Sequence, residues 1–265
     1  MCELLGLCFN RPVRATFSFS ALLHGSDFNA DGWGIGFHPD GKGAMVCKEA
    51  LPGDNSELAG YVAHYPYAKS RNIIAHIRKA SKGTVCYSNT HPFLRHHFKT
   101  QIIFAHNGTL RSRLPYPPID FLPNGTTDSE AAFCHLLWKM NEKDVFPMSL
   151  GEHFIYSQKH IEEIYKILKS INQKGSFNCL FSDGTFLFAY RGHDSNTLFV
   201  TERKHPFTTC TFRDNEIEVD LRLSKQQDER GYIIATVPLT DEEWQPFKPG
   251  QLTVFRVGTI VKTLA

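Results

Sequence analysis

Apolar positions recur along the chain with two periods, and their order implies an architecture. Leu4 to Phe9 is a near-continuous apolar run, which suits a strand covered on both faces. Arg11-Pro12 is expected to end it. Phe17 to His24 predicts a short helix closed by Gly25. Asp31-Gly32-Trp33-Gly34-Ile35-Gly36-Phe37-His38 places three glycines at alternate positions, the pattern of a strand that another backbone approaches closely. The turn Pro39 to Gly43 leads into a second strand, Ala44 to Cys47. Ser56 to Tyr67 carries Leu58, Tyr61, Val62 and Tyr65 at helical spacing, with Pro66 ending or bending the helix. Strands follow at Arg71–Lys79 and Gln101–His106, separated by the polar loop Asn89 to Phe93.

The period then lengthens. After a proline-rich loop, Leu114 to Thr127, a helix capped by Thr127 or Asp128 runs through Met140, and Glu130 is placed for a capping box. A second long helix spans Gly151 to Gly175, with Ile161, Ile164, Tyr165, Ile167, Leu168 and Ile171 toward the core. From Ser176 the pattern returns to two. Phe177–Ser182 and Thr185–Tyr190 flank Asp183-Gly184, a strong hairpin signal. Further strands are expected at Thr197–Thr201, Phe207–Phe212, Tyr232–Val237, Leu252–Val257 and Ile260–Thr263, with a turn of helix at Asp241–Trp244. Strands, then helices, then strands without βαβ alternation predict an α+β protein of antiparallel sheets layered with helices. No linker or repeat divides residues 1–265, so a single domain is expected.

Composition narrows the function classes. A 42% hydrophobic, 21% charged chain is globular, and a net charge of +2 gives no field for nucleic acid. No run reaches eighteen apolar residues, and the short apolar run after Glu3 is no signal peptide. The seven cysteines are scattered, odd in number and without a C-x-x-C pair. That argues against a disulfide framework and a zinc ribbon, and for a reducing cytoplasm. The glycines at 32, 34 and 36 lack G-x-G-x-x-G spacing between strand and helix, so no dinucleotide loop is expected. Neither a cofactor nor a metal is expected, and neither a membrane nor a nucleic-acid partner.

The candidate chemistry lies at element boundaries. Met1 precedes a small residue, so its removal would leave Cys2 at the N-terminus. A terminal cysteine offers a thiol and, on the same carbon, an α-amine with a pKa of about 7.7–8.0, so one residue can supply nucleophile and base. His76-Ile77-Arg78 ends one buried strand, Asn107-Gly108 ends another, and Thr127-Asp128 opens a helix. Each has an ordinary reading as well: Asn107-Gly108 as a two-residue turn, and Asp128 as an acid at a helix N-terminus.

These motifs, in this order, resemble the class II glutamine amidotransferases, N-terminal nucleophile hydrolases, and in particular their stand-alone, YafJ-like group. The resemblance runs from Met1-Cys2-Glu3-Leu4-Leu5-Gly6 through Asp31-Gly32-Trp33-Gly34-Ile35, His76-Ile77-Arg78, Thr90-His91-Pro92-Phe93, Ala105-His106-Asn107-Gly108 and Thr127-Asp128-Ser129-Glu130 to the Phe177–Gly184 hairpin, with its core motifs in residues 2–140. It implies a four-layer αββα sandwich of two antiparallel sheets. It also implies that Cys2 attacks the side-chain amide carbon of glutamine, that Asn107 and Gly108 bind the oxyanion, and that Arg78 and Asp128 read the α-carboxylate and α-ammonium. Ser81 stands where the family often has threonine, Lys79 where it often has an aromatic residue, and Lys82 where the sugar-linked enzymes have histidine. His91 matches a histidine of those enzymes, as a substrate-side or a structural group. Trp33 and Gly34 would line the cleft, with a core tryptophan as the competing reading.

Nothing after the glutaminase-like region resembles a synthase. The resemblance therefore implies a glutaminase that hands ammonia to a separate synthase subunit. The alternatives are an amidohydrolase of γ-glutamyl amides or peptides, and a non-catalytic binding or regulatory subunit.

Overall fold

The strand that begins after Cys2, β1 (Glu3–Arg14), lies at the centre of a seven-stranded antiparallel sheet. A computed structural model describes residues 2–24, 31–39, 43–97, 100–146, 155–212 and 217–265. Alternation along β1 explains its central place. Leu5, Leu7 and Phe9 enter one apolar cluster, while Leu4 and Cys8 enter another on the opposite face. The strand runs past Arg11-Pro12, which the sequence had suggested as its end. Its register with β4 (Lys69–Ile77) shifts between Cys8 and Val13, and an irregularity of this kind accommodates a proline that cannot donate to the ladder.

Around β1 and β4 the sheet is completed by β2 (Trp33–Phe37), β3 (Met45–Glu49), β9 (Phe199–Lys204), β12 (Arg230–Ala235) and β13 (Gln245–Pro246), in the order β13-β9-β12-β1-β4-β2-β3. The second sheet, six-stranded and antiparallel, is β15-β14-β8-β7-β6-β5. Its strands are β5 (Phe93–His97), β6 (Thr100–Leu110), β7 (Gly175–Ser182), β8 (Phe186–Tyr190), β14 (Leu252–Arg256) and β15 (Thr259–Leu264). The inner faces meet through Leu4, Cys8, Ile74, Ile103, Leu180 and Phe255.

Helices cover the outer faces. α1 (Thr16–His24) and α2 (Glu57–His64) pack on the first sheet, and α3 (Asp128–Glu142) and α4 (Gln158–Asn172) on the second. Phe133 of α3 stacks on Phe104 of β6, ring centroids 4.8 Å apart. The layers are therefore αββα. A small hairpin of β10 (Thr209–Thr211) and β11 (Glu218–Asp220) adds a satellite cluster beside Phe17 and Ala21 of α1. No helix of the described residues is long and apolar enough to cross a membrane.

Several local expectations are corrected. α2 buries Ala59, Val62 and Ala63, while Leu58 and Tyr61 are exposed. Small residues let the helix approach the sheet, and Tyr61 stacks instead on Tyr65 at 5.3 Å. β5 was not foreseen. Asp241–Trp244 forms no helical turn, because the Glu242 carboxylate is drawn to Arg203, 2.7 Å from its Nε. Glu130 does not close a capping box. Its carboxylate accepts from Gly125 N at 2.6 Å and Asn124 N at 3.1 Å and pairs with Arg95, holding the end of the proline-rich loop. The second long helix, expected over Gly151–Gly175, runs over Gln158–Asn172 with Ser157 as its N-cap, and Gly175 already belongs to β7. The closure proposed at Gly25, the turn at 40–42 and Met1 lie outside the described residues.

Candidate active site

Four segments converge at the head of β1. Pairing of Glu3 with Ile77 brings Cys2 beside the chain leaving β4. There Lys79 N donates to Cys2 Sγ at 3.0 Å, and Sγ lies 3.1 Å from Lys79 O. From the other sheet, Asn107 Nδ2 donates to the Cys2 carbonyl oxygen. Burial pushes the Cys2 thiol above its ordinary pKa; the Lys79 N–H and the Arg78 guanidinium act in the opposite direction.

The 78–84 segment is held from below by residues that the sequence reading did not assign. Arg78 N donates to Gly32 O at 2.7 Å, Asp31 N to Arg78 O at 3.2 Å, and Ala80 N to Asp31 Oδ2 at 2.7 Å. Asp31-Gly32 thus braces the backbone that supplies the Lys79 N–H. Arg78 is buried, and its guanidinium donates to three carbonyls: Thr84 from Nη1 at 3.3 Å, and Lys82 and Gly83 from Nη2 at 3.1 and 3.4 Å. Asn89, also buried, ties Thr84 O and Thr126 Oγ1 together through Nδ2, at 3.0 and 3.1 Å.

Asn107-Gly108 is not a turn. Both residues lie inside β6, with Asn107 opposite Asn178 and Gly108 opposite Phe177 on β7. Gly108 has φ +151°, and a Cβ there would stand 2.1 Å from Ser176 O. Only glycine allows the two backbones to run so close. Beyond it, Ser81 Oγ lies 3.1 Å from Thr109 Oγ1, and Lys82 Nζ donates to Leu110 O. Asp128 opens α3 behind Thr127, whose side chain accepts from Glu130 N at 3.2 Å. The Asp128 carboxylate accepts from Leu110 N at 2.7 Å through Oδ2 and from Ser129 N at 3.1 Å through Oδ1. Its Oδ2 is also 3.9 Å from Lys82 Nζ.

Cys2, Arg78, Ser81, Asn107, Gly108 and Asp128 are therefore drawn together. Trp33, Gly34 and His91 are not part of that contact set. Trp33 is fully buried among the residues facing α1, 5.9 Å from Phe19. This corrects its placement in the cleft, since its strand position turns it toward the helix layer. Gly34 points the other way, where a Cβ would meet His91 O at 2.2 Å, so it serves a close backbone approach. His91 is buried with its ring 4.1 Å from His76 and 4.5 Å from Phe93. Its ring packs between His76 of the first sheet and Phe93 of the second. Burial holds both histidines far below the ordinary imidazole range, His76 down to about 3.

His106 went unassigned in the sequence. It is buried, with Nδ1 2.8 Å from Ser129 Oγ and Nε2 3.2 Å from Ser176 O, and so links β6, α3 and β7 behind the site. Lys48 braces the 90–92 loop by donating to Thr90 O at 2.6 Å and Pro92 O at 3.3 Å. Neither shows a local sequence pattern, because each acts across elements far apart in the chain.

Two facing antiparallel sheets between helix layers, with a cysteine at the head of a central strand, define the N-terminal nucleophile hydrolase architecture. This chain belongs to the class II glutamine amidotransferases, whose family model matches residues 1–265. It is 40% identical over 265 residues to an uncharacterized protein of Methanocaldococcus jannaschii, covering 98% of this chain and 71% of that one. It is 38% identical over 266 residues to YafJ of Escherichia coli, which carries the name of a glutamine amidotransferase, covering 97% and 98% of the two chains. Among solved structures it resembles a glutamine amidotransferase predicted in Pseudomonas aeruginosa (TM-score 0.71, 27% identity, 98% of this chain and 100% of that one). The glutamine phosphoribosylpyrophosphate amidotransferase of B. subtilis shares the fold at 16% identity (TM-score 0.57), with 99% of this chain matching 49% of that one.

Proposed function

We propose that the chain hydrolyses the side-chain amide of glutamine with Cys2 as nucleophile. The observation that carries this reading is the cysteine at the head of β1, with Lys79 N–H on its sulfur at 3.0 Å and the Asn107 amide on its own carbonyl. With Met1 removed, the Cys2 α-amine takes the thiol proton as sulfur bonds to the amide carbon. The oxyanion is received by Asn107 Nδ2 and the Gly108 N–H, two donors on one rigid strand. Collapse breaks the C–N bond, and the protonated amine gives its proton to the departing ammonia. Water then adds to the γ-glutamyl thioester, and glutamate leaves as the thiol re-forms.

Arg78 and Asp128 read the amino-acid head group in this scheme. A guanidinium can bind the α-carboxylate through two parallel hydrogen bonds, and a carboxylate suits the α-ammonium. Arg78 exchanges its loop carbonyls for the substrate in doing so. Ser81 contributes a hydroxyl at the rim. The ammonia passes to a synthase on a separate chain.

Incubating the purified protein with a glutamine-analogue electrophile tests this reading. A single adduct on Cys2, in a chain lacking Met1, with glutamate release abolished, is expected. Glutamate release that persists in Cys2→Ala would refute it. Assaying γ-glutamyl peptides beside glutamine separates this activity from a γ-glutamyl amidohydrolase.

A further inference from the structure

One short stretch of this same chain lies against both charged groups assigned to the head group. Three successive carbonyls, those of Lys82, Gly83 and Thr84, converge on the Arg78 guanidinium. The Lys82 ammonium donates to Leu110 O and sits 3.9 Å from Asp128 Oδ2. Oxygens therefore face the group suited to a carboxylate, and an ammonium faces the group suited to an ammonium.

The local structure favours this arrangement. Gly83 has φ +74°, which turns the chain so that neighbouring carbonyls point one way, and a Cβ there would stand 2.9 Å from Asn89 Nδ2. The turn is tied at both ends, by Asp31 Oδ2 at Ala80 N (2.7 Å) and by Asn89 Nδ2 at Thr84 O (3.0 Å). Between the ties residues 81–84 are exposed, and the Lys82 side chain is 43% accessible, so its ammonium can move into water at small cost.

We infer that Lys82 is a specificity-determining residue: with the carbonyls of residues 82–84 it forms an internal counterpart of an α-amino-acid head group, which the substrate must displace from Asp128 and Arg78. The inference rests on the proposed reading of those two residues. Displacement acts as a filter. A ligand with a free α-ammonium and a free α-carboxylate replaces both sets of contacts. An N-acylated glutamine replaces only those on Arg78 and leaves Lys82 in place.

Calorimetric titration of L-glutamine into the full Cys2→Ala chain tests it, with Lys82 intact, as Lys82→Met and as Lys82→Arg. Lys82→Met is expected to bind glutamine about two- to five-fold more tightly, while Lys82→Arg, which keeps a cation, stays near the parent. Tightening in Lys82→Met alone supports the inference, including the case where the parent binding is too weak to measure. Equal or weaker binding in Lys82→Met, or equal tightening in both variants, overturns the inference and leaves the hydrolase reading standing. No glutamine binding in any form, with no glutamate release from the Cys2 chain, overturns both.

Discussion

Lys79 N lies 3.0 Å from Cys2 Sγ, so the sulfur is held by a backbone donor 77 residues away, just past the end of β4. That contact depends on Asp31, which fixes Ala80 N at 2.7 Å, and on Gly32, whose carbonyl takes Arg78 N at 2.7 Å. The donor favours thiolate, yet burial outweighs it and the thiol pKa stands above its ordinary value. A thiol in that state needs a base at neutral pH. Asp31→Ala is expected to loosen the Lys79 donor and slow glutamate release with the fold retained, as checked by far-UV circular dichroism beside the assay.

The base in the proposed scheme is the α-amine of Cys2, which exists only after Met1 is removed. A form of the chain that keeps one residue ahead of Cys2 retains thiol, oxyanion donors and head-group readers. Its glutamate release is expected to fall about 10²–10⁴-fold, the usual contribution of a positioned base. Intact mass establishes which form is present, and equal rates in the two forms would exclude the amine.

Asn107 lies in the interior of β6, where its backbone pairs with β7 whatever its side chain. Asn107→Ala therefore removes the amide donor and spares the strand. A loss of about 10²–10³-fold in kcat is expected. A rise in KM at constant kcat would instead mark Asn107 as a binding group.

How much of this could be read from the sequence follows from the range of the forces involved. Asp183-Gly184 was legible because the turn is local: Asp183 Oδ1 takes Thr185 N at 2.9 Å and Phe186 N at 2.8 Å. Cys2, Arg78, Asn107 and Asp128 stood out because each polar residue adjoins the start or end of an apolar run in the sequence, although the strand itself continues past Asn107 to Leu110. β5 was hidden by Arg95, His96 and His97, which break its alternation. Trp33 alternates with Gly34 and Gly36 and shares its face with Ile35 and Phe37, a pattern that favours the core reading over the cleft, and the cluster toward α1 takes all three. Lys82 gave no signal as an ion-pair partner, since Asp128 lies 46 residues further along the chain.

The buried histidines predict an acid limb in the stability curve. His76 has a folded-state pKa of about 3, set chiefly by burial and then by the nearby His106 and Arg78, against about 6.5 when unfolded. Between those values the unfolded chain binds the extra proton. Stability is therefore full above pH 6.5 and falls as pH drops toward 3. His76 alone accounts for about 2 kcal/mol between pH 6.5 and pH 5. His91, lowered for the same reason, adds to the slope. Urea denaturation of the wild type and of His76→Leu at pH 7 and pH 5 checks this. The variant should lose less stability over that interval, and parallel losses would assign the acid limb to other groups.

Gly108 joins stability to chemistry at a single position. Its φ of +151° is one that side chains rarely adopt, and an added Cβ would stand 2.1 Å from Ser176 O and 2.7 Å from Ser176 C. Both obstacles are backbone atoms of β7, so no side-chain rotation relieves them. Gly108→Ala must part β6 from β7 locally or shift φ, at a cost of about 1–3 kcal/mol. Either response turns the Gly108 N–H away from the oxyanion position and draws Asn107 with it. The thermal midpoint is expected to fall by several degrees, by about 2–4 °C per kcal/mol for a chain of this size. Glutamate release is expected to fall further than in Asn107→Ala, because both proposed donors are displaced. A variant with the lowered midpoint but full activity at low temperature would show that the close approach of β6 to β7 serves packing alone, and would move the oxyanion role off Gly108.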